Sequence, residues 1–149
     1  MTLDAGELKC LADIERYGCH IIHVLESEDY PRFSYSVGIQ RSSHAPELVV
    51  LGLRQELCQS IINEYNARVR SGELFESGDI ADGFLEGFPC QFRAVGPSHY
   101  RQHFGWNLWL NDGKHFDVLQ LIYPDTRGIW PWQVPEDDPF RLIQPLLAS

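Results

Sequence analysis

The segment Leu119-Gln120-Leu121-Ile122-Tyr123-Pro124-Asp125, followed by Thr126-Arg127-Gly128-Ile129-Trp130-Pro131-Trp132, constrains the fold more than any other part of the chain. Its apolar run has the character of a strand covered on both faces, and Pro124, which lacks the N–H that a ladder needs, ends it. The chain then turns at Asp125 and Gly128 and sets down two tryptophans stiffened by the proline between them. This signature is structural. No spacing in the chain matches a catalytic, metal-binding or phosphate-cradling motif well enough to name a reaction.

The other elements follow from periodicity. Asp4 and Glu7 have the form of a capping box, and Leu8, Leu11, Ala12 and Tyr17 continue at helical spacing until Gly18, which predicts a helix over Ala5 to Tyr17. Cys19 to Leu25 reads as a strand. From Phe33 the chain alternates, with Phe33, Tyr35, Val37 and Ile39 on one face and Ser34, Ser36 and Gly38 on the other. The second face is nearly bare, which lets a helix, a partner chain or a ligand approach the backbone closely, a helix or strand packed there being the favoured occupant. Pro46 opens the apolar run Glu47 to Leu53, a central strand. An amphipathic helix from Arg54 to Arg70 follows, and its Leu57, Ile61, Ile62 and Tyr65 are expected to pack on Val49, Leu51, Leu119 and Leu121. Phe88 to Val95 and His115 to Tyr123 read as strands, a helix is expected to begin near His99, and Pro139 to Leu147 reads as a closing helix that Pro145 can cut short. Trp106 to Leu110 fits a helix or a short strand, with a turn at Asn111-Asp112-Gly113. The whole is a single α+β domain over residues 1–149, an antiparallel-rich sheet of about five strands, open or closed as a split barrel, with packed helices.

Several of these segments together carry a resemblance. Tyr17-Gly18 with His20, Phe33 to Ile39, Pro46 to Leu53, Leu119 to Asp125 and Gly128 to Trp132 resemble the bacterial family catalogued as domain of unknown function 4262. The likeness covers most of the chain and implies a stand-alone bacterial cytosolic domain, but carries over no catalytic residue. Cys19 departs from the bulkier, often aromatic residue expected there. A second likeness lies in element order: a small-residue strand, a Pro-led apolar strand, an amphipathic helix and the strand at Gly87-Phe88-Pro89 are similar to flavin reductase-type split barrels. It implies FMN as cofactor, the hydroxyls of Ser34 and Ser36 and the guanidinium of Arg41 at its phosphate, and Trp130 stacked on the ring. Gln120, a polar residue inside an apolar strand, needs either backbone partners or a bound ligand.

The net charge of −9, from 12 basic and 21 acidic residues, argues against nucleic acid or an anionic membrane as partner, and no apolar run is long enough to cross a bilayer. It leaves no obvious basic cluster for a flavin phosphate either. Cys10, Cys19, Cys58 and Cys90 are widely spaced, and the first residues lack the charge and apolar run of a signal peptide, so reduced thiols in the cytoplasm are expected. In the Cys19-His20-Ile21-Ile22-His23 run, strand alternation puts Cys19 and His23 on one face and His20 on the other, so no metal is expected. His99 and His103 read as helix-surface histidines. His115 and Asp117 have no nucleophile near them, and Asp125 reads as a turn former.

Between Ser71 and Gly87 lie Glu73, Glu76, Asp79, Asp82 and Glu86 with no Lys or Arg, interleaved with four glycines. That pattern predicts a mobile, solvated loop; as a functional element it offers an acidic lid or a contact for a basic partner, with Phe75, Ile80, Phe84 and Leu85 as its anchors. The expected function is therefore a non-enzymatic, immunity- or inhibitor-like binding protein meeting a basic protein through Glu73, Glu76, Asp79, Asp82 and Phe84. The alternative is a flavin-binding protein or oxidoreductase using Ser34, Ser36, Arg41, Gln120 and Trp130.

Overall fold

The computed structural model describes residues 2–112 and 115–148. Helix α1 (Ala5–Tyr17) opens on the expected capping box: the Asp4 carboxylate accepts the Glu7 N–H at 2.7 Å and the Glu7 carboxylate accepts the Asp4 N–H at 3.0 Å. Such a box supplies about 1 kcal/mol. Then come β1 (His20–Val24), β2 (Phe33–Val37), the short α2 (Ile39–Ser43), β3 (Glu47–Leu51) and the long α3 (Gln55–Arg70). After them run β4 (Ile80–Leu85), β5 (Phe88–Ala94), α4 (Tyr100–His103), α5 (Gly105–Asn111), β6 (Val118–Ile122) and α6 (Pro139–Ile143). Trp106 to Leu110 is thus helical. Asp112 takes the left-handed conformation at the end of α5, and Gly113, the last residue of the expected turn, lies outside the described residues.

The six strands form one sheet in the order β1-β2-β3-β6-β5-β4. β3 and β6 are parallel, and every other neighbouring pair is antiparallel. The sheet is open, with β1 and β4 as its edges, so the barrel option does not hold. A second correction concerns the segment expected to be a loop, which contains β4.

On one face α3 buries Cys58, Ile61, Ile62, Tyr65 and Val69 against Leu48, Val50, Phe92, Leu119 and Leu121. Each fully buried aliphatic side chain contributes about 2 kcal/mol. The opposite face packs Phe33, Tyr35, Val37, Val49, Leu51 and Val118 against Cys10 and Ile14 of α1 and against Phe104, Phe116 and Leu147. Val49 and Leu51 therefore face away from α3, contrary to expectation, because β3 is apolar on both faces and its composition carries no period from which to read the face. The bare face of β2 lies under α3, the element-packing outcome.

Glu47, which opens β3, is fully buried with no cation beside it. Its Oε1 accepts from the Ser36 hydroxyl at 2.7 Å and the Ile39 N–H at 3.1 Å; its Oε2 accepts from the N–H groups of Gly38 and Gln40, both at 3.1 Å. This carboxylate thereby satisfies the otherwise orphaned first donors of α2. Gly38 makes the corner possible: its φ is +102°, and a Cβ there would lie 2.5 Å from the side chain of Ile14. Burial pushes the Glu47 carboxyl up to about 7, and the four donors act in the opposite direction.

Gln120 finds backbone partners. Its Nε2 donates to the Pro145 carbonyl and its Oε1 accepts the Leu147 N–H, both at 2.8 Å. Gln144 in turn exchanges two 3.0 Å bonds with the backbone of Tyr123. These two glutamines fasten the segment after α6 along β6. That helix ends at Ile143, short of the expected Leu147.

Candidate functional site

The acidic segment is held down from both ends. Beyond β4, Gly78 N–H donates to the Phe92 carbonyl at 2.7 Å, Phe92 N–H to the Asp79 carbonyl at 2.9 Å, and Ala94 N–H to the Ser77 hydroxyl at 2.9 Å. Phe75 packs among Tyr65, Phe84 and Phe92, with ring centroids 4.7–5.7 Å away. Aromatic pairs at such separations add about 1 kcal/mol each beyond the area they bury. The glycines and like charges predict a solvated loop; the aromatics between them pack part of it onto the core.

Between Ala81 and Leu85 the pairing of β4 with β5 shifts register. A register irregularity changes which side chains face inward, so Ile80 is exposed while Phe84, of the same parity, is buried. Gly83 sits in this irregularity at φ +91°, against the guanidinium of Arg68. Arg68 reaches across from α3, bonds Glu64 at 2.7 Å, donates to the Asp82 carbonyl at 2.9 Å and stacks 4.2 Å above the Phe84 ring. Phe84 is therefore a core residue in this structure and not part of the exposed acidic surface.

Glu73, Glu76, Asp79, Asp82 and Glu86 are all exposed, as a contact surface requires. Asp79 also accepts the Glu76 N–H at 2.8 Å, so it shapes the turn that leads into β4. Of the apolar residues expected as anchors, Ile80 is 63% exposed; Leu74, which sequence reasoning left out, is 79% exposed. Each follows an acidic residue in the chain, Leu74 after Glu73 and Ile80 after Asp79.

The residues of the flavin reading have separate partners. Ser34 and Ser36 lie under α3, bonded to His23 and Glu47, and Gln120 holds the C-terminal segment. Arg41 is exposed on α2. Trp130 stacks on Trp132 at 5.1 Å with ring planes 6° apart, and Arg93 covers Trp132 at 4.2 Å.

His23 and Ser34 form an arrangement with a nucleophile-and-base appearance. His23 Nε2 donates to Gln59 Oε1 at 2.8 Å, since a carbonyl oxygen only accepts, which leaves Nδ1 to accept the Ser34 O–H at 2.6 Å. Ser34 is buried, and the space beside it is about 40 Å³, far below the few hundred that a substrate pocket occupies. The chain Ser34–His23–Gln59 ties β2, β1 and α3 together. His20, on the opposite face of β1, bonds Asp13 of α1 at 2.7 Å. Among the described residues, no group of three or more His, Cys, Asp or Glu is placed to hold a metal ion. His115 and Asp117 pair at 2.9 Å in the open. Asp125 caps its turn, accepting the N–H groups of Arg127 and Ile129.

His103 is not the expected surface histidine. It is buried, bonded to the His99 carbonyl at 2.9 Å and the Tyr30 hydroxyl at 2.7 Å, and burial pushes its imidazole below the usual range. Helical spacing showed where it lies along the helix but not that β2 aromatics would cover that face.

Among the described residues, no helix is long and apolar enough to cross a membrane. No curated protein and no solved structure matches the chain. A family model matches residues 13–136, from the middle of α1 to just before α6, and by that match the chain belongs to the family described as a domain of unknown function, DUF4262.

Proposed function

We propose that the protein is a non-enzymatic, cytoplasmic binding protein whose acidic β4 edge receives a basic protein partner, in the manner of an immunity or inhibitor protein. One observation carries this reading: Leu74 and Ile80, the first 79% and the second 63% exposed, share with five exposed carboxylates the segment that leads into, forms and turns out of the edge strand β4. Apolar side chains ringed by one sign of charge are what a partner of opposite charge needs, because the charge orients the encounter and the apolar contact prolongs it. An edge strand also offers unpaired backbone groups to an added strand.

Affinity capture from the native host tests this. The wild-type protein should recover a basic protein that a Glu76→Ser/Asp79→Ser/Asp82→Ser variant recovers poorly. Equal recovery of the same proteins by both would remove the acidic edge from the interaction.

A further inference from the structure

A cavity of about 360 Å³ opens at the tip of the β4–β5 hairpin. Its walls are Leu53, Leu57, Leu85, Phe88 and Phe140, all half-buried, with Tyr123 buried at its base. These side chains come from the turn after β3, from α3, from the hairpin, from the end of β6 and from α6, so paired or packed elements fix the shape from several sides. Tyr123 is held by its hydroxyl, which donates to the Leu51 carbonyl at 2.7 Å, and its ring meets Phe140 edge-on at 5.9 Å. Glu86, exposed at the hairpin turn, and Thr126 form part of the rim. Asp125 also borders the cavity, with its carboxylate engaged by Arg127 and two backbone N–H groups.

We infer that this cavity seats one aromatic side chain of the basic partner, the anchor of the complex whose encounter surface is the acidic β4 edge. The inference rests on the function proposed above. Two observations select the occupant. The walls are apolar and the volume lies in the range of pockets that enclose compact organic groups, and an aromatic ring buries roughly 150–250 Å² in such a site. The rim carries Glu86, and the strand that leads to it carries Asp82, with Asp79 just before its start, all exposed, so a ring flanked by Lys or Arg is favoured over one in a neutral or acidic segment. The two parts have different tasks. The carboxylates set how fast the partner arrives, and the pocket sets how long it stays.

Two synthetic peptides test the assignment with the intact protein: a heptapeptide with tryptophan at the centre of six alternating lysines and arginines, and the same peptide with alanine at the centre. Affinity is measured by calorimetry and the site by NMR shifts of the Leu57 and Leu85 methyl groups. The expected result is at least tenfold tighter binding of the tryptophan peptide, with those methyl signals moving, and loss of that preference in Leu57→Trp, where an indole built from α3 fills the cavity. If both peptides bind equally, or the tryptophan peptide moves signals elsewhere, the pocket assignment is overturned while the acidic edge stands. If neither peptide binds, the acidic-edge reading fails and the anchor fails with it. The peptide comparison in the wild-type protein decides the matter even if Leu57→Trp does not fold.

Discussion

Two sets of carboxylates in this chain do opposite things. Glu47 is wholly enclosed at the corner where β2 turns into α2, with four donors on its two oxygens. The carboxylates of the β4 edge stand in water on a segment whose hold on the protein comes from Phe75, Phe84 and the β5 ladder. Composition reports both only as negative charge. A buried carboxylate matched by donors organises backbone, and removing it strands those donors; an exposed one changes the field outside the protein and hardly touches the fold. Position relative to water therefore separates a carboxylate that organises the fold from one left free to meet another molecule.

The largest expected effect lies at the enclosed site. Glu47→Ala leaves three N–H groups and the Ser36 hydroxyl without their acceptor, and should destabilise the protein by about 4 kcal/mol, read from denaturant unfolding. A loss under about 1 kcal/mol would show that α2 is held by something else. The pH dependence has a definite sign. Burial pushes the folded carboxyl up to about 7, above the 4.5 ordinary for a glutamate, so its contribution is fully present below pH 4.5 and is lost as pH rises through 7. The wild-type protein should lose roughly 3 kcal/mol relative to Glu47→Gln across that interval and nothing more above it. A constant difference between the two from pH 4 to 8 would mean that the four donors outweigh burial.

Ile61→Ala comes next. It removes a fully buried side chain from the α3–sheet interface, and about 3 kcal/mol is expected. Gln120→Ala should follow at about 2 kcal/mol, because it frees the Pro145 carbonyl and the Leu147 N–H beside an apolar face. Hydrogen exchange should accelerate first at Leu147 and Gly96, whose N–H groups respectively reach Gln120 and the Leu147 carbonyl. Unchanged protection at both would show that the C-terminal segment docks through Leu147 alone.

How far the sequence discloses this architecture depends on whether the signal is local. The capping box at Asp4, the alternation of β2, the amphipathic α3 and the Asp125 turn are short-range patterns, and each is present where periodicity puts it. The face of β3 and the burial of His103 depend on elements distant in the chain, for which a single sequence holds no period. The acidic edge was half legible. Its carboxylates are plain, but the register shift that exposes Ile80 and buries Phe84 is a property of the pairing with β5, and Arg68, which steadies it, belongs to another helix. Glu47 left a faint trace, a lone charge at the head of an apolar strand. Only the corner built by Gly38 shows what it holds.

The smallest stability effect is expected at the acidic edge, and it defines the contrast. Exposed charges contribute a few tenths of a kcal/mol each at most, and the like-charge crowding between Glu73 and Glu86 offsets part of that, so Glu76→Ser/Asp79→Ser/Asp82→Ser should unfold within about 0.5 kcal/mol of the wild type. Asp79 is the one member with a local bond, to the Glu76 N–H, and serine can accept that bond as well. Association with a cationic peptide should respond far more. Its rate should fall several-fold at low salt and lose most of its ionic-strength dependence, since removing three charges from the encounter surface weakens the long-range attraction that salt screens. Stopped-flow association measured from 20 to 300 mM salt, beside unfolding of the same two proteins, separates the quantities. A variant that unfolds early would place these carboxylates with Glu47 as structural groups, and one with an unchanged salt slope would leave the β4 edge without a role in recognition.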